Sequence, residues 1–179
     1  MIICITGMPG SGKSLAANYL IEKGFEAVEM GDFVREKMKT EGIEITNKNI
    51  RDYALYLRKK FGKEIVAKLT INRIKGKNKN IVIVGVRSRI EIDYFKKNLG
   101  NFYVIALTAP KRLRYKRLKE RGRTDDIYTI DEFNYREEKE KKYGMMSAIK
   151  SADFVISNTA SQKELKKSID AVIASIGRD

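Results

Sequence analysis

The sequence predicts an α/β protein with a parallel sheet covered by helices on both faces. Three observations carry this. Short β-branched runs such as Ile81-Val82-Ile83-Val84 are apolar at every position, as strands buried on both sides are. These runs alternate with amphipathic stretches of helical period along the whole chain. Between the first run and the first such stretch lies Gly7-Met8-Pro9-Gly10-Ser11-Gly12-Lys13-Ser14, a glycine-rich turn of phosphate-binding type.

The elements follow in order. Met1 to Thr6 reads as a buried strand and Lys13 to Lys23 as a helix, with Leu15, Ala16, Tyr19 and Leu20 on one face and Gly24 closing it. Glu26 to Met30 is a second strand. Helices are expected over Asp32 to Lys39, Asn47 to Lys60 and Lys63 to Ile74, separated by Gly42 and Gly62 and ended by Gly76. The third strand is Ile81 to Val84 and the fourth Phe102 to Leu107. Pro110 opens a helix that runs to about Glu120. A helix over Ile130 to Lys142, a fifth strand over Asp153 to Ser157 and a last helix over Gln162 to Ile176 complete the chain.

Composition narrows the function classes. The 179 residues suit one domain, and 42 % hydrophobic with 34 % charged residues describes a globular chain. No apolar run nears the roughly 20 residues of a membrane-spanning helix. The first residues are too short and too uncharged for a signal peptide and run straight into the glycine-rich turn, so a cytoplasmic protein without membrane partners is expected. There is no histidine, which removes the usual general base and zinc ligand. The single cysteine, Cys4, falls within the first strand and reads as core. A net charge of +14 points to anionic partners: nucleotides, polyphosphates or RNA.

The spacing Gly-x-x-x-x-Gly-Lys-Ser has a mechanical reason. Residues Gly7, Met8, Pro9, Gly10, Ser11 and Gly12 turn backbone N–H groups inward around a β-phosphate. Lys13 brings a positive charge to the β- and γ-phosphates, Ser14 offers a hydroxyl to Mg²⁺, and the helix that starts there points its positive end at the same anion.

Further motifs resemble the P-loop nucleoside monophosphate kinase group, above all adenylate kinases and adenylate-kinase-related archaeal proteins. Gly31-Asp32-Phe33-Val34-Arg35 resembles the Gly-Asp-x-x-Arg stretch that opens their acceptor subdomain, and Gly85-Val86-Arg87-Ser88 resembles their Gly-Phe-Pro-Arg turn, one residue shorter. The basic run Lys111 to Arg123, which places Arg114, Arg117 and Arg121 on one helical face, ends in Arg121-Gly122-Arg123-Thr124-Asp125-Asp126 and resembles their short lid, with Arg136 on the following helix. Ala152 to Ala160 resembles the last strand and loop of dephospho-CoA kinases.

This resemblance implies a three-layer P-loop kinase fold with a five-stranded parallel sheet in the order 2-3-1-4-5. It implies a helical acceptor subdomain over 31–76 and a lid over 121–130 within one domain, 1–179. It implies ATP and Mg²⁺ as cofactors and phosphoryl transfer to a phosphorylated acceptor such as AMP. Arg35, Arg87, Asp32 and Glu91 fall to the acceptor. Lys13, Arg117, Arg121, Arg123 and Arg136 fall to the transferring phosphoryl group, with Asp125 and Asp126 orienting the lid arginines. Asn158 falls to the donor adenine.

The sequence departs from the family at three places. Val84 stands where an aspartate usually serves the magnesium shell, which leaves Ser14 and Asp32 as the metal candidates. Met30 replaces an acceptor-pocket threonine, and Glu91 stands near an adenine-reading glutamine. Tyr53, Tyr56, Phe61 and Arg58 in the helical insert fit either a base contact or a core. Two readings outside nucleotide transfer stay open: an ATP-switched RNA- or ribosome-associated protein on the same scaffold, and a kinase for another metabolite such as dephospho-CoA.

Overall fold

In the computed structural model, which describes residues 1–77, 79–121 and 129–177, strands and helices alternate from the start. β1 (Ile2–Thr6) leads to α1 (Lys13–Glu22) and β2 (Glu26–Glu29). Three helices follow, α2 (Met30–Thr40), α3 (Asn47–Phe61) and α4 (Ile65–Ile74). Then come β3 (Ile81–Val84), α5 (Arg89–Asn98), β4 (Phe102–Thr108), α6 (Lys111–Arg121), α7 (Ile130–Lys142), α8 (Met145–Lys150), β5 (Phe154–Ser157) and α9 (Gln162–Ile176).

The five strands form one all-parallel sheet in the order β2-β3-β1-β4-β5, as expected. β1 is central, with Ile3 opposite Val82 of β3 and Tyr103 of β4. Alternate side chains leave the sheet on opposite faces. Ile3, Ile5, Val82, Ile105 and Leu107 meet α1 and α9 through Ala16, Leu20, Leu165 and Ile169. Cys4, Ile81, Ile83 and Val104 meet α4, α5 and α8 through Ala67, Phe95 and Ala148. Both faces being covered is why β1 and β3 tolerate no polar residue at these positions. Each large apolar side chain so buried contributes about 1.5–3 kcal/mol. Burial also pushes the Cys4 thiol pKa far up, so it is an inert core group.

Three helices depart from expectation. α2 starts at Met30 rather than Asp32, because Met30 is buried in the core as the first residue of a helix. α5 has no counterpart among the expected helices; a Ser88 side chain that accepts from the Glu91 amide caps it. α8 is a further short helix, started by Gly144 in the left-handed region at φ 96°.

Since the strands are parallel, all their carboxyl ends lie on one edge. The connections after β1, β2, β3, β4 and β5 therefore leave from the same side, where open parallel sheets bind their ligands. α2, α3 and α4 pack on one another beside that edge. Of the expected lid, 122–128 lie outside the described residues, including Arg123, Asp125 and Asp126.

Candidate functional site

The glycine-rich turn leaves β1 after Thr6 and enters α1 at Lys13. Its glycines answer to space as well as to backbone angle. Gly10 has φ 78°, and a Cβ there would sit 2.5 Å from the Arg114 carbonyl oxygen. Gly12 has φ 102°, and a Cβ there would collide with the Asn158 side chain. As the N-cap of α1, Gly12 supplies no capping side chain, so the first N–H groups of the helix keep their capacity for an anion. α3, α5, α7 and α9, in contrast, are capped by the side chains of Thr46, Ser88, Thr129 and Ser161.

Lys13 folds back over the turn and donates to the carbonyls of Gly7 (2.7 Å) and Met8 (3.1 Å). Its pKa is lowered from 10.5 to about 8, chiefly by burial. Glu140 opposes the shift, while Arg87, Arg136 and Arg114 reinforce it. The ammonium therefore lies within the fields of one carboxylate and three guanidinium groups, a surplus of positive charge that a polyphosphate would offset. Ser14 is exposed and Ser11 is buried.

Two residues brace the turn from below. Arg114, only 7 % exposed, donates to the carbonyls of Ala109 (3.0 Å) and Pro9 (3.1 Å), and its Nη2 lies 2.6 Å from Glu137. It is a structural strut joining α6, the turn and α7, not a solvent-facing member of the basic run. Asn158 donates its Nδ2 to the Ser11 carbonyl at 2.9 Å, its amide donates to Thr108, and its carbonyl accepts from Arg117 at 3.0 Å. The Asn158 side chain thus holds the loop, where the sequence had placed it against adenine. Arg117 reaches the β5–α9 connection beside the loop. Arg121 ends α6, and Arg136 is half-buried on α7.

A second feature shares this edge, a cavity of about 630 Å³ between α2, α3 and the ends of β2 and β3. Both Arg35 and Arg87 line it, with an apolar lining that includes Met30, Val34 and Val66. Arg35 pairs with Asp32 at 2.6 Å and lies 3.7 Å from Glu29. Asp32 is exposed and is not part of the cavity wall; what it touches is Arg35. Arg87 donates through Nη1 to Glu140 at 3.0 Å.

Glu91 lines the cavity but is fully buried, and both its oxygens are engaged. Oε1 takes Arg58 Nη2 at 2.6 Å, and Oε2 accepts the Arg87 backbone N–H at 2.9 Å. It positions Arg58 and the Arg87 turn, and has no free oxygen with which to read a base, a correction to the expected contact. Of the insert aromatics, Tyr53 is core, while Tyr56 and Phe61 are 45 % and 51 % exposed.

The sequence reading gave α7 its bounds but assigned it no part in the site beyond Arg136. Phe133, Glu137 and Glu140 recur at helical spacing and are all buried. Glu137 meets the Arg114 strut and Glu140 meets Arg87, so one helix face links the glycine-rich turn to the cavity. The available signal was the capping box of Thr129 and Glu132 followed by this apolar-acidic face. In a stretch so rich in Glu and Lys the same letters read as a solvated surface.

Such a turn on such a sheet defines a P-loop nucleotide-binding protein of kinase fold. A family model described as "AAA domain" matches residues 3–143. In shape the chain is similar to the shikimate kinase of Acinetobacter baumannii (TM-score 0.61, 17 % identity, 97 % of this chain and 93 % of that one) and to TT1252 of Thermus thermophilus (TM-score 0.62, 20 % identity, 98 % and 97 %). More narrowly, the chain belongs to the UPF0200 family. It is 37 % identical to the UPF0200 protein of Thermococcus kodakarensis over 98 % of this chain and 100 % of that one. It is 40 % identical to that of Sulfurisphaera tokodaii, over 98 % and 97 %. No helix among the described residues is long and apolar enough to cross a membrane.

Proposed function

We propose that this protein transfers the γ-phosphoryl group of ATP to a small phosphorylated acceptor held between Arg35 and Arg87. A nucleoside monophosphate such as AMP is the acceptor favoured by the sequence resemblance to adenylate-kinase-related proteins. One observation carries the reading: a 630 Å³ cavity with the Arg35 and Arg87 guanidinium groups in its wall opens at the same sheet edge as the phosphate loop.

The residues present fit a bound triphosphate. The start of α1 is uncapped, and Lys13 sits where it can exchange two carbonyls for phosphate oxygens. They also fit Mg²⁺ that arrives with ATP. Among the described residues no three metal-ligating side chains cluster, so the ion would rest on the Ser14 hydroxyl, phosphate oxygens and water, with Asp32 the candidate further carboxylate. When bound, Mg²⁺ offsets charge on the phosphate oxygens.

The rest of the chemistry falls to positioning and charge. A phosphate acceptor is already ionised, so no general base is needed, which suits a chain without histidine. Arg35 and Arg87 hold the acceptor phosphate with planar forks. Lys13 and Arg136, with Arg117, Arg121 and Arg123, meet the charge that spreads over the transferring group.

The test is to incubate the protein with Mg-ATP and a panel of nucleoside monophosphates and dephospho-CoA, and to separate the products. A phosphorylated acceptor is expected, and Lys13→Ala should abolish it. Hydrolysis of ATP with no phosphorylated acceptor from any panel member refutes the reading.

A further inference from the structure

The cations around the acceptor cavity fall into two sets. Arg35, Arg58 and Arg87 each have a carboxylate partner, in Asp32, Glu91 and Glu140. Arg51, Lys59, Lys63 and Lys142 also line the cavity, are exposed at its rim, and form no ion pair among the described residues. Three of these four come from α3 and the turn that follows it. Arg51, Leu55, Arg58 and Lys59 recur at spacings of three and four, so α3 turns one mixed cationic and apolar face to the cavity.

A charged rim could be no more than a solvated surface, but the rest of this molecule argues otherwise. Exposed lysines elsewhere repeatedly find acids: Lys37 with Glu41, Lys141 with Glu138, Lys166 with Glu22 and Lys167 with Glu164. The two acids in the cavity wall are already committed, Glu91 to Arg58 and Glu29 to the neighbourhood of Arg35. Unneutralised like charges around a concave surface focus a positive potential into it. A monoester phosphate satisfied by Arg35 and Arg87 would leave that potential unmet. The same lining carries apolar Ile50, Ala54, Leu55 and Ile90.

We infer that the acceptor carries a second anionic group, set apart from the phosphate held by Arg35 and Arg87 and received by Arg51, Lys59 and Lys63. This rests on the acceptor-site reading above and narrows it. The ligand class is a small molecule with a phosphate at one end, an apolar or planar body in the middle, and a phosphate or carboxylate at the other end.

The experiment is titration calorimetry with the phosphate loop saturated by a non-hydrolysable ATP analogue, so that added nucleotide reports only on the cavity. The probes are AMP, adenosine 3′,5′-bisphosphate and adenosine 2′,5′-bisphosphate. At least one bisphosphate should bind ten times more tightly than AMP or better. In an Arg51→Gln/Lys63→Gln double variant the ratio should fall close to one; both side chains are exposed, and a thermal melt checks that the variant is folded. A second variant, Lys59→Gln, should lower the ratio part of the way. AMP binding with no bisphosphate preference, or a preference that survives the double variant, overturns the second anion but leaves the acceptor site standing. Binding of none of the three probes overturns both.

Discussion

The lowered pKa of Lys13 makes nucleotide affinity depend on pH in a calculable way. In the free protein Lys13 titrates at about 8, because burial outweighs the help of Glu140 and because Arg87, Arg136 and Arg114 stand nearby. A polyphosphate laid against the ammonium favours its charged form and lifts the pKa toward or above the ordinary 10.5. Well below pH 8 the lysine is charged both free and bound, and this group leaves affinity unchanged. Above pH 8 the free protein has lost the proton and must take one up to bind. The dissociation constant then rises by a factor of about 1.1 at pH 7, about 2 at pH 8 and about 11 at pH 9, a loss of roughly tenfold or about 1.4 kcal/mol between pH 7 and 9. Calorimetric titration of Mg-ADP in two buffers of different ionisation enthalpy measures both quantities. Proton uptake should be near zero at pH 7 and about 0.9 per nucleotide at pH 9. Lys13→Arg, which keeps its charge throughout, should show a flat profile. Wild-type affinity constant within twofold from pH 7 to 9, with no proton uptake, refutes the reasoning.

Three substitutions test the supports of the site. Arg114→Ala removes contacts to Ala109, Pro9 and Glu137 and strands a buried carboxylate; it should cost about 3–5 kcal/mol in denaturant unfolding, and a loss below about 1 kcal/mol would show that Arg114 is no strut. Asn158→Ala deletes the donor to the Ser11 carbonyl, and nucleotide affinity should fall about tenfold while the protein stays folded. Unchanged affinity would return Asn158 to the role of bystander. Glu91→Gln removes the buried charge that holds Arg58, which is 23 % exposed and can turn to water, so the stability loss should be about 2–3 kcal/mol by thermal unfolding.

The fold was largely legible because its signals are local. β-branched runs without polar interruption can only be strands covered on both sides, and β1, β3 and β4 are such strands. The boundaries of α7 and α9 agree with the expected Ile130–Lys142 and Gln162–Ile176, since each is set off by a capping residue, Thr129 or Ser161. α5 escaped because Ile90, Ile92 and Tyr94 alternate with acids as residues of a strand do, although Ile92 and Phe95 share one buried helical face. The phosphate loop was legible for a different reason: its glycines and lysine are contiguous, so the motif and the site are the same stretch of chain.

The sequence alone therefore determined the class of site: an anion-cradling loop on a parallel α/β sheet, with Arg35 and Arg87 placed after the strands where ligands bind. What tertiary structure decided is which charges do structural work. Arg114, Asn158, Glu91, Glu137 and Glu140 look like surface letters, yet all five are buried. Each has a partner between 23 and 147 residues away along the chain. A buried charge is tolerable only when paired, and pairs of that separation leave no periodicity for a sequence to display. Only the folded chain separates the arginines that are held by carboxylates from the cations at the cavity rim that are not.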